Sequence, residues 1–282
     1  MSKNYRAELV GLFGDPVDGN PTGVMEEAGF AAKGLNFRYI TARVLPEDLP
    51  AAFSGAKAVN MRGLNLTMPH KISIIPLLDR LTQAAQIIGA VNTVVNENGV
   101  WVGENTDGKG FVLALQLAGA DLQGKRVTIL GAGGAARAIA VECALAGAAH
   151  IAIINRNQTR GADLVNLIND ATSAQAEYIP WIGNVHIPAE TDILIQATCV
   201  GLGSNDKPAI DYDSIHSNMV VSDVVFNPVK PAFLEEAEKR GAAVVSGIGM
   251  LVQQGAKNFK LWTGEDAPID VMYEALKHEF EE

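Results

Sequence analysis

The chain has few cysteines and no long apolar run. Only two of its 282 residues are cysteine, Cys143 and Cys199, so neither a disulfide framework nor a cysteine-rich zinc or iron–sulfur site is expected. No apolar run reaches the ~18 residues of a membrane span without a charge, and the first residues carry charge where a secretory signal would be apolar. These absences predict a reduced, cytoplasmic protein that has no membrane segment.

Positive charge is also scarce. The chain has 22 Lys and Arg against 32 Asp and Glu, which gives a formal net charge of −10. Such a balance argues against nucleic acid or an anionic membrane as a partner, although a local basic pocket for a small anion is compatible with it. The five histidines form no cluster at metal-ligand spacing, so no metal site is predicted.

The length suggests two domains or one large α/β unit. In the first third, apolar runs alternate with helix-length segments at about 22–33, 46–56 and 69–88, which predicts one open, mostly parallel sheet. The runs are Leu9–Phe13, Phe37–Thr41, Leu64–Thr67 and Val91–Val95.

A second alternation of strands and helices begins at Arg126. Its order is typical of a doubly wound sheet. Its strands are expected at Arg126–Leu130, His150–Ile154, 192–196 and 219–225, and its helices at 134–146 and 158–169. Gly108–Gly119 has helical spacing and would connect the two sheets, and helices at 249–262 and 268–280 could return to the first domain. We therefore predict an α/β fold of two domains, a discontinuous open α/β domain (1–107 plus 251–282) and a Rossmann-type domain (108–250), with a cleft between them.

The sequence Gly131-Ala132-Gly133-Gly134-Ala135 follows the strand Arg126–Leu130 and precedes an alanine-rich helix. Gly131 would permit a tight turn, Gly133 would let the backbone approach a pyrophosphate, and the helix N-terminus would supply N–H groups. A glycine turn that binds nothing is the alternative, but the position between strand and helix favours a dinucleotide.

The next strand leads into Asn155, Arg156 and Arg160, at the point where NAD-binding units usually present an acidic residue to the ribose. Two arginines suit a 2′-phosphate instead. They could also be ordinary surface residues of a first helical turn. Behind a predicted phosphate-binding turn, NADP(H) is the favoured cofactor, and NAD remains possible.

Polar residues gather at the predicted strand ends of the first domain. Asn65, Thr67, Lys71, Asn92 and Asp107 follow such strands, and strand ends of open α/β sheets are where ligands bind. Lys71 alone would be read as a solvated lysine. As a group, these residues could converge on one small polar molecule.

Together these sequences resemble the shikimate/quinate dehydrogenase family over nearly the whole chain. The similar segments are Asn65–Lys71, Gly89–Thr93, Asn105–Gly108, Gly131–Ala135, Asn155–Arg156, Asn227–Pro228 and Gly249–Gly255. The resemblance implies hydride transfer between a nicotinamide and a ring carbon of a small hydroxy-acid, and hence a cytoplasmic enzyme of aromatic amino acid biosynthesis. The substrate would bind to the first domain and the cofactor to the second.

The resemblance also implies roles for individual residues. Lys71 and Asp107 would be the catalytic pair, because an alkoxide that forms from a ketone needs a cation and a proton donor. Ring hydroxyls would be held by Asn65, Thr67, Asn92 and Gln254. The cofactor would contact Gly131, Ala132, Gly133, Gly134, Ala135, Asn155, Arg156, Arg160, Thr198, Val224, Gly247 and Met250.

Three positions depart from the family pattern. Typical members hold the substrate carboxylate with two serines and a tyrosine, and this chain has Asn20, Thr22 and Phe226 there. Asn20 and Thr22 still donate hydrogen bonds but differ in shape, and Phe226 has lost the hydroxyl. A site built to bind one group rejects analogues strongly, so these residues put the identity of the substrate in question.

The predicted function is that of an NADP-dependent oxidoreductase that interconverts a ring hydroxyl and a ketone of shikimate or a related cyclic hydroxy-acid. An NAD-linked quinate dehydrogenase is one alternative. A dinucleotide-binding regulatory protein without turnover is another, which the retained Lys71 and Asp107 disfavour. The protein is expected to be a monomer or a homodimer.

Overall fold

The structure, a computed structural model, describes residues 5–281. The chain forms two compact units. One contains the chain up to Thr106 together with the chain from Gln254 onward, and the other contains Asp107–Gln253. We call them unit 1 and unit 2. Each contains its own sheet, as the α/β alternation predicted, and each sheet has six strands.

Unit 1 contains a sheet in the order β2-β1-β3-β5-β6-β4. Its strands are β1 (Glu8–Gly14), β2 (Phe37–Arg43), β3 (Gly63–Leu66), β4 (Arg80–Leu81), β5 (Thr93–Glu97) and β6 (Val100–Glu104). Its helices are α1 (Thr22–Ala32), α2 (Leu49–Ala58), α3 (His70–Ser73), α4 (Gln83–Ile88) and α10 (Ile269–Glu281). Two further helices, α5 (Thr106–Leu117) and α9 (Gly247–Thr263), contain the residues at which the division between the units falls.

The sheet of unit 1 is mixed. Strand β5 pairs antiparallel with β3 and with β6, and the other three pairs are parallel. A two-residue turn joins β5 to β6, with Asn98 at φ 54° and Gly99 at φ 95°. Asn-Gly favours this turn because both residues adopt positive φ at low cost. The apolar pattern predicted strand Val91–Val95 but did not indicate its hairpin partner.

The predicted helix at about 69–88 is wrong. This segment consists of α3, a 3-10 turn at Ile75–Leu77, strand β4 and helix α4. Pro76 has no N–H to continue a helix from α3, and Leu78 is extended. Thr82 then caps the new helix α4 by accepting a hydrogen bond from the Ala85 N–H.

Unit 2 contains an entirely parallel sheet in the order β12-β11-β10-β7-β8-β9. Its strands are β7 (Arg126–Leu130), β8 (His150–Asn155), β9 (Gln175–Pro180), β10 (Ile193–Gln196), β11 (Val220–Asp223) and β12 (Ala243–Val245). Its other helices are α6 (Gly134–Leu145), α7 (Gln158–Ala171) and α8 (Ala232–Lys239). Counted along the chain, this is the 3-2-1-4-5-6 order of a dinucleotide-binding Rossmann sheet.

The central strands of this sheet are buried apolar runs. Every described residue of Ile151–Ile154 is at most 2% exposed, and so are Ile193–Ile195. Strands covered on both faces read as continuous apolar segments, which is why the sequence predicted them well. Strands β9 and β12 lie at the two edges, and helix α8 precedes β12; none of these three was predicted.

Candidate functional site

The glycine turn of unit 2 has the geometry of a dinucleotide-binding turn. Gly131 has φ +112°, and an added Cβ would lie 3.0 Å from the Ala197 carbonyl oxygen, so a side chain there would be strained and crowded. Gly133 is the N-cap of α6, and Cβ atoms added at Gly133 or Gly134 would meet no described heavy atom within 4 Å. Open space in front of a helix N-terminus suits a phosphate group.

A cavity of about 310 Å³ lies beside this turn. It is lined by Ala132, Gly133, Asn155, Arg156, Asn157, Arg160, Trp181, Thr198, Cys199 and Val200. Six of these residues were predicted to contact the cofactor. Asn157 accepts a hydrogen bond of 2.9 Å from the Arg160 N–H, which caps helix α7 and begins it at the cavity wall. The lining therefore combines two arginines with the backbone of a glycine turn. This combination fits the adenosine 2′-phosphate end of NADP(H).

The other predicted cofactor residues do not line this cavity. They are Gly131, Gly134, Ala135, Val224, Gly247 and Met250. Two of them meet elsewhere, because a Cβ added at Gly247 would lie 2.7 Å from the Val224 carbonyl oxygen. Gly247 is therefore required for close packing of the start of α9 against the residue that follows β11. Met250 is half-buried in the first turn of α9.

Trp181 lines the cavity and was not predicted. Its ring centroid lies 5.4 Å from the guanidinium carbon of Arg156. The residue follows β9, an edge strand that the apolar pattern did not indicate, so the sequence offered no reason to place it beside Arg156.

Asp223, at the end of β11, is buried. Burial raises the pKa of its carboxyl from 3.8 to about 7, and the hydrogen bond that Oδ1 accepts from the Val225 N–H opposes part of the rise. Oδ2 has no hydrogen-bond partner among the described residues. The carboxyl therefore holds its proton to a higher pH than an exposed aspartate does.

Unit 1 contains a largely buried polar cluster that brings residues in or next to β2, β3 and β5 together with residues of α5 and α9. Its members are Tyr39, Asn65, Asn92, Thr93, Thr106, Gln254 and Asn258. Three of them, Asn65, Asn92 and Gln254, were predicted to bind substrate. Asn65 accepts a hydrogen bond of 2.8 Å from the Tyr39 hydroxyl and donates to the Asn92 carbonyl and to the Thr93 hydroxyl, both at 3.2 Å.

Asn258 joins the C-terminal segment to this cluster. Its Oδ1 accepts hydrogen bonds of 2.8 Å from the hydroxyls of Thr93 and Thr106, and its Nδ2 donates to Gln254 Oε1 at 3.1 Å. Buried amides with fixed partners hold one orientation. Gln254 is thus held from within its own helix. Thr93 and Thr106 lie inside the motifs noted above, which could have pointed to them, whereas no pattern singled out Asn258 or Tyr39.

Thr67 and Lys71 follow strand β3. A Cβ added at Gly14, the last residue of β1, would lie 2.1 Å from the Thr67 methyl group, so these two strand ends approach closely. Lys71, in α3, is half-buried, and its carbonyl oxygen accepts a hydrogen bond of 2.7 Å from the Val91 N–H. Asp107, the second residue of α5, is half-buried and belongs to unit 2.

Asn20 and Thr22 lie at the beginning of α1. Asn20 Oδ1 accepts a hydrogen bond of 3.0 Å from the Thr22 N–H, so the Asn20 side chain stabilises the turn before the helix. Thr22 is buried. Phe226 is half-buried and lies three residues beyond β11, in unit 2.

Glu26 lies one helical turn beyond Thr22 and is fully buried. Neither carboxyl oxygen has a hydrogen-bond partner among the described residues, and burial raises the pKa of the carboxyl well above its usual range. A Cβ added at Gly255 would lie 3.3 Å from Glu26 Oε1, so the carboxyl packs beside the residue that follows Gln254. Glu26 was not predicted.

Comparison with known proteins agrees with this arrangement. Three family models match: the shikimate dehydrogenase substrate-binding domain over residues 12–94, shikimate/quinate 5-dehydrogenase over 112–226, and the shikimate 5′-dehydrogenase C-terminal domain over 247–277. A shikimate dehydrogenase (NADP+) from Desulforamulus reducens is 42% identical over 278 residues, or 97% of this chain and 96% of that protein. The chain belongs to the shikimate dehydrogenase family.

Two solved structures are similar over nearly their full length. The ligand-free 5-ketofructose reductase of Gluconobacter sp. strain CHM43 has a TM-score of 0.96 and 44% identity, with 98% of this chain and 100% of that chain covered. Shikimate 5-dehydrogenase from Listeria monocytogenes in complex with shikimate and NAD has a TM-score of 0.91 and 36% identity, with 98% and 99% covered.

Family membership confirms the predicted two-domain α/β fold and the enzyme class. The protein is an NAD(P)-dependent oxidoreductase of the shikimate dehydrogenase type, which acts on a CH–OH group of a small molecule. None of the described helices is long and apolar enough to cross a membrane. Within residues 5–281, no three His, Cys, Asp or Glu side chains gather where they could hold a metal ion.

Proposed function

We propose that this protein interconverts a ring hydroxyl and a ketone of shikimate and 3-dehydroshikimate, or of a closely related polyhydroxylated molecule, with NADP(H). The observation that carries the proposal is the polar cluster of unit 1. There Asn65, Asn92 and Gln254 are buried and held by fixed partners. Unit 1 would bind the substrate and unit 2 the cofactor.

The proposed catalytic pair is Lys71 and Asp107. When bound, NADPH supplies the hydride that reduces the ketone carbon. The Lys71 ammonium would stabilise negative charge on the substrate oxygen and donate the proton that completes the alcohol. Asp107 would orient Lys71 towards the substrate oxygen. In the direction of oxidation, neutral Lys71 would accept the hydroxyl proton.

The substrate-holding residues proposed for unit 1 are Asn65, Thr67, Asn92 and Gln254. Each carries a polar group that can hydrogen-bond a ring hydroxyl. In Asn65 this group is the carbonyl oxygen, because both amide hydrogens already have acceptors. Asn20 and Thr22, with Phe226 of unit 2, would decide whether a carboxylate is accepted.

A neutral polyhydroxy ketone is a second candidate substrate. Asn20, Thr22 and Phe226 carry no positive charge and replace two serines and a tyrosine that typical members use for the carboxylate. A 5-ketofructose reductase is 44% identical to this chain over its whole length, and 5-ketofructose has no carboxylate.

For the cofactor, Arg156 and Arg160 favour NADP(H) because they line the cavity beside the glycine turn. An NAD-linked quinate dehydrogenase is the rival proposal within the family. Whether the protein is a monomer or a homodimer stays a prediction, for which light scattering is the direct measurement.

The experiment is a set of initial rates followed by nicotinamide absorbance. Shikimate and quinate are oxidised with NADP+ and with NAD+, and 3-dehydroshikimate and 5-ketofructose are reduced with NADPH and with NADH. The proposal expects activity with NADP(H) on at least one of these pairs. A higher kcat/KM for 5-ketofructose than for 3-dehydroshikimate would select the neutral substrate. No turnover in any combination, from a folded protein that binds NADPH, would contradict the proposed function.

A further inference from the structure

Arg156 packs on an aromatic ring in the wall of the cofactor cavity. Its guanidinium carbon lies 5.4 Å from the centroid of the Trp181 ring, and both residues line the cavity of unit 2. The two residues come from different strand ends, since Arg156 follows β8 and Trp181 follows β9. A cation at this distance from an indole is within the range of a cation–π interaction.

Trp181 is itself held in place on several sides. Its ring Nε1 donates a hydrogen bond of 2.8 Å to the Ala209 carbonyl, and its backbone N–H donates one of 3.1 Å to the Asn155 carbonyl. The residue is 8% exposed and belongs to an apolar core that also contains Leu130 and Ile154. The indole is therefore a fixed surface, whereas Arg156 is exposed.

A free arginine side chain has many rotamers, and binding an anion through it costs rotamer entropy. A guanidinium that packs over a fixed ring has fewer rotamers. The N–H groups at its outer edge remain available to bind an anion. Arg160 lines the same cavity from the first turn of α7, and the described cation–π contacts of that cavity include Arg156 alone. The two arginines therefore differ in how they are held.

We propose that Trp181 is a positioning residue for cofactor choice, which stacks Arg156 so that its N–H groups face the 2′-phosphate of NADP(H). This inference rests on the proposal that the cavity binds the adenosine 2′-phosphate end of the cofactor. The indole does not touch the phosphate; it acts through Arg156. Loss of the ring would loosen Arg156 and lower the preference for NADPH over NADH, with little effect on catalysis.

The test is a double-mutant cycle of Trp181→Leu and Arg156→Ala, with kcat/KM measured for NADPH and for NADH on the same carbonyl substrate. Trp181→Leu should lower kcat/KM for NADPH about five- to tenfold and leave that for NADH within about twofold. In the Arg156→Ala background the same change should have little further effect. Arg160→Ala is the matched control: the loss caused by Trp181→Leu should persist in that background.

Trp181→Phe provides a variant that keeps an aromatic face but loses the hydrogen bond to Ala209. It should melt at a lower temperature and yet keep most of the preference for NADPH. This variant also keeps the proposal testable should Trp181→Leu fold poorly. An equal loss with NADPH and NADH, or an undiminished loss in the Arg156→Ala background, would show that Trp181 acts through the fold, and the proposal would be wrong.

Binding of adenosine 2′,5′-bisphosphate, measured by calorimetry, separates this inference from the assignment on which it rests. The wild-type protein should bind it, and Trp181→Leu should weaken binding by a similar five- to tenfold. Failure of the wild-type protein to bind it would overturn the cofactor assignment. Equal binding by wild type and Trp181→Leu would overturn only the role of Trp181.

Discussion

The Thr93 hydroxyl donates a hydrogen bond of 2.8 Å to Asn258 Oδ1 across 165 positions of the chain. Both side chains are fully buried. The bond links the start of β5 to α9, the helix that also contains Gln254. Stability of unit 1 and binding of substrate are therefore expected to depend on one amide.

Asn258→Ala tests this dependence. Removal of the amide deletes the 2.8 Å bonds from the Thr93 and Thr106 hydroxyls, which keep longer bonds to Asn92 Oδ1, and the bond from Asn258 Nδ2 to Gln254 Oε1. This loss is expected to cost about 2–4 kcal/mol of the free energy of unfolding. KM for the substrate should rise because Gln254 loses its orientation. Urea unfolding and initial rates are the measurements. The exposed Asn166 of α7 supplies the control, since Asn166→Ala should change neither quantity appreciably; equal effects of the two variants would contradict the role of the cluster.

Lys71→Ala should lower kcat by about 10²–10⁴-fold and change KM little, because the proposed proton donor is needed mainly in the transition state. Steady-state kinetics at saturating cofactor measure both constants. Lys33→Ala, at an exposed lysine beyond α1, is the control and should keep full activity. Near-normal turnover of Lys71→Ala would refute the proposed catalytic role.

A triple variant, Asn20→Ser, Thr22→Ser and Phe226→Tyr, tests the departures from the family pattern. It restores the groups that typical members use for the substrate carboxylate, so kcat/KM for shikimate should rise by about tenfold or more. The rate on 5-ketofructose should not rise with it. Unchanged selectivity between the two substrates would mean that these three positions do not decide substrate choice.

Asp223 predicts a pH dependence of stability. Burial raises the pKa of its carboxyl to about 7 in the folded protein. The folded state then holds a proton that the unfolded chain has released, so the contribution of Asp223 to the free energy of unfolding falls as pH rises from about 4 to about 7. The fall is expected to amount to roughly 2–4 kcal/mol.

Asp223→Asn should remove this fall while keeping an acceptor for the Val225 N–H. Urea unfolding at several pH values between 4 and 8 gives the comparison. The difference in stability between variant and wild type should grow in favour of the variant as pH rises, and a constant difference would contradict the raised pKa. Glu26 does not disturb the comparison, because it is present in both proteins.

The sequence predicted unit 2 more closely than unit 1 for a physical reason. Strands β7, β8 and β10 are buried on both faces and read as continuous apolar runs, and the glycine turn between β7 and α6 has its own signature. In unit 1, the segment after Pro69 breaks into short pieces, and the hairpin at Asn98-Gly99 depends on backbone φ rather than on apolar pattern. The periodicity of apolar residues contains little information on either feature.

The residues of the candidate site also differ in how well the sequence predicts them. The positions of Gly133, Arg156 and Arg160 beside the cavity were predictable, because sequence motifs place them after the carboxyl ends of the adjacent strands β7 and β8. Trp181 and Asn258 were not, because their roles depend on contacts between segments far apart in sequence. A buried asparagine inside an amphipathic helix looks like any other polar position until its partners are known.

Unit 1 is built from two separate stretches of chain, and this has a consequence for its synthesis. Its apolar core includes Phe259 and Trp262 together with Val10 and Phe37, and its polar cluster includes Asn258. A ribosome delivers the first of these stretches early and the second only after all of unit 2. The Rossmann-type sheet can therefore fold while translation continues, whereas the proposed substrate site must wait for the last helices. Nascent chains that are released before α9 is made are expected to contain a folded unit 2 and an incomplete unit 1. The incomplete unit 1 would be a target for chaperones and proteases.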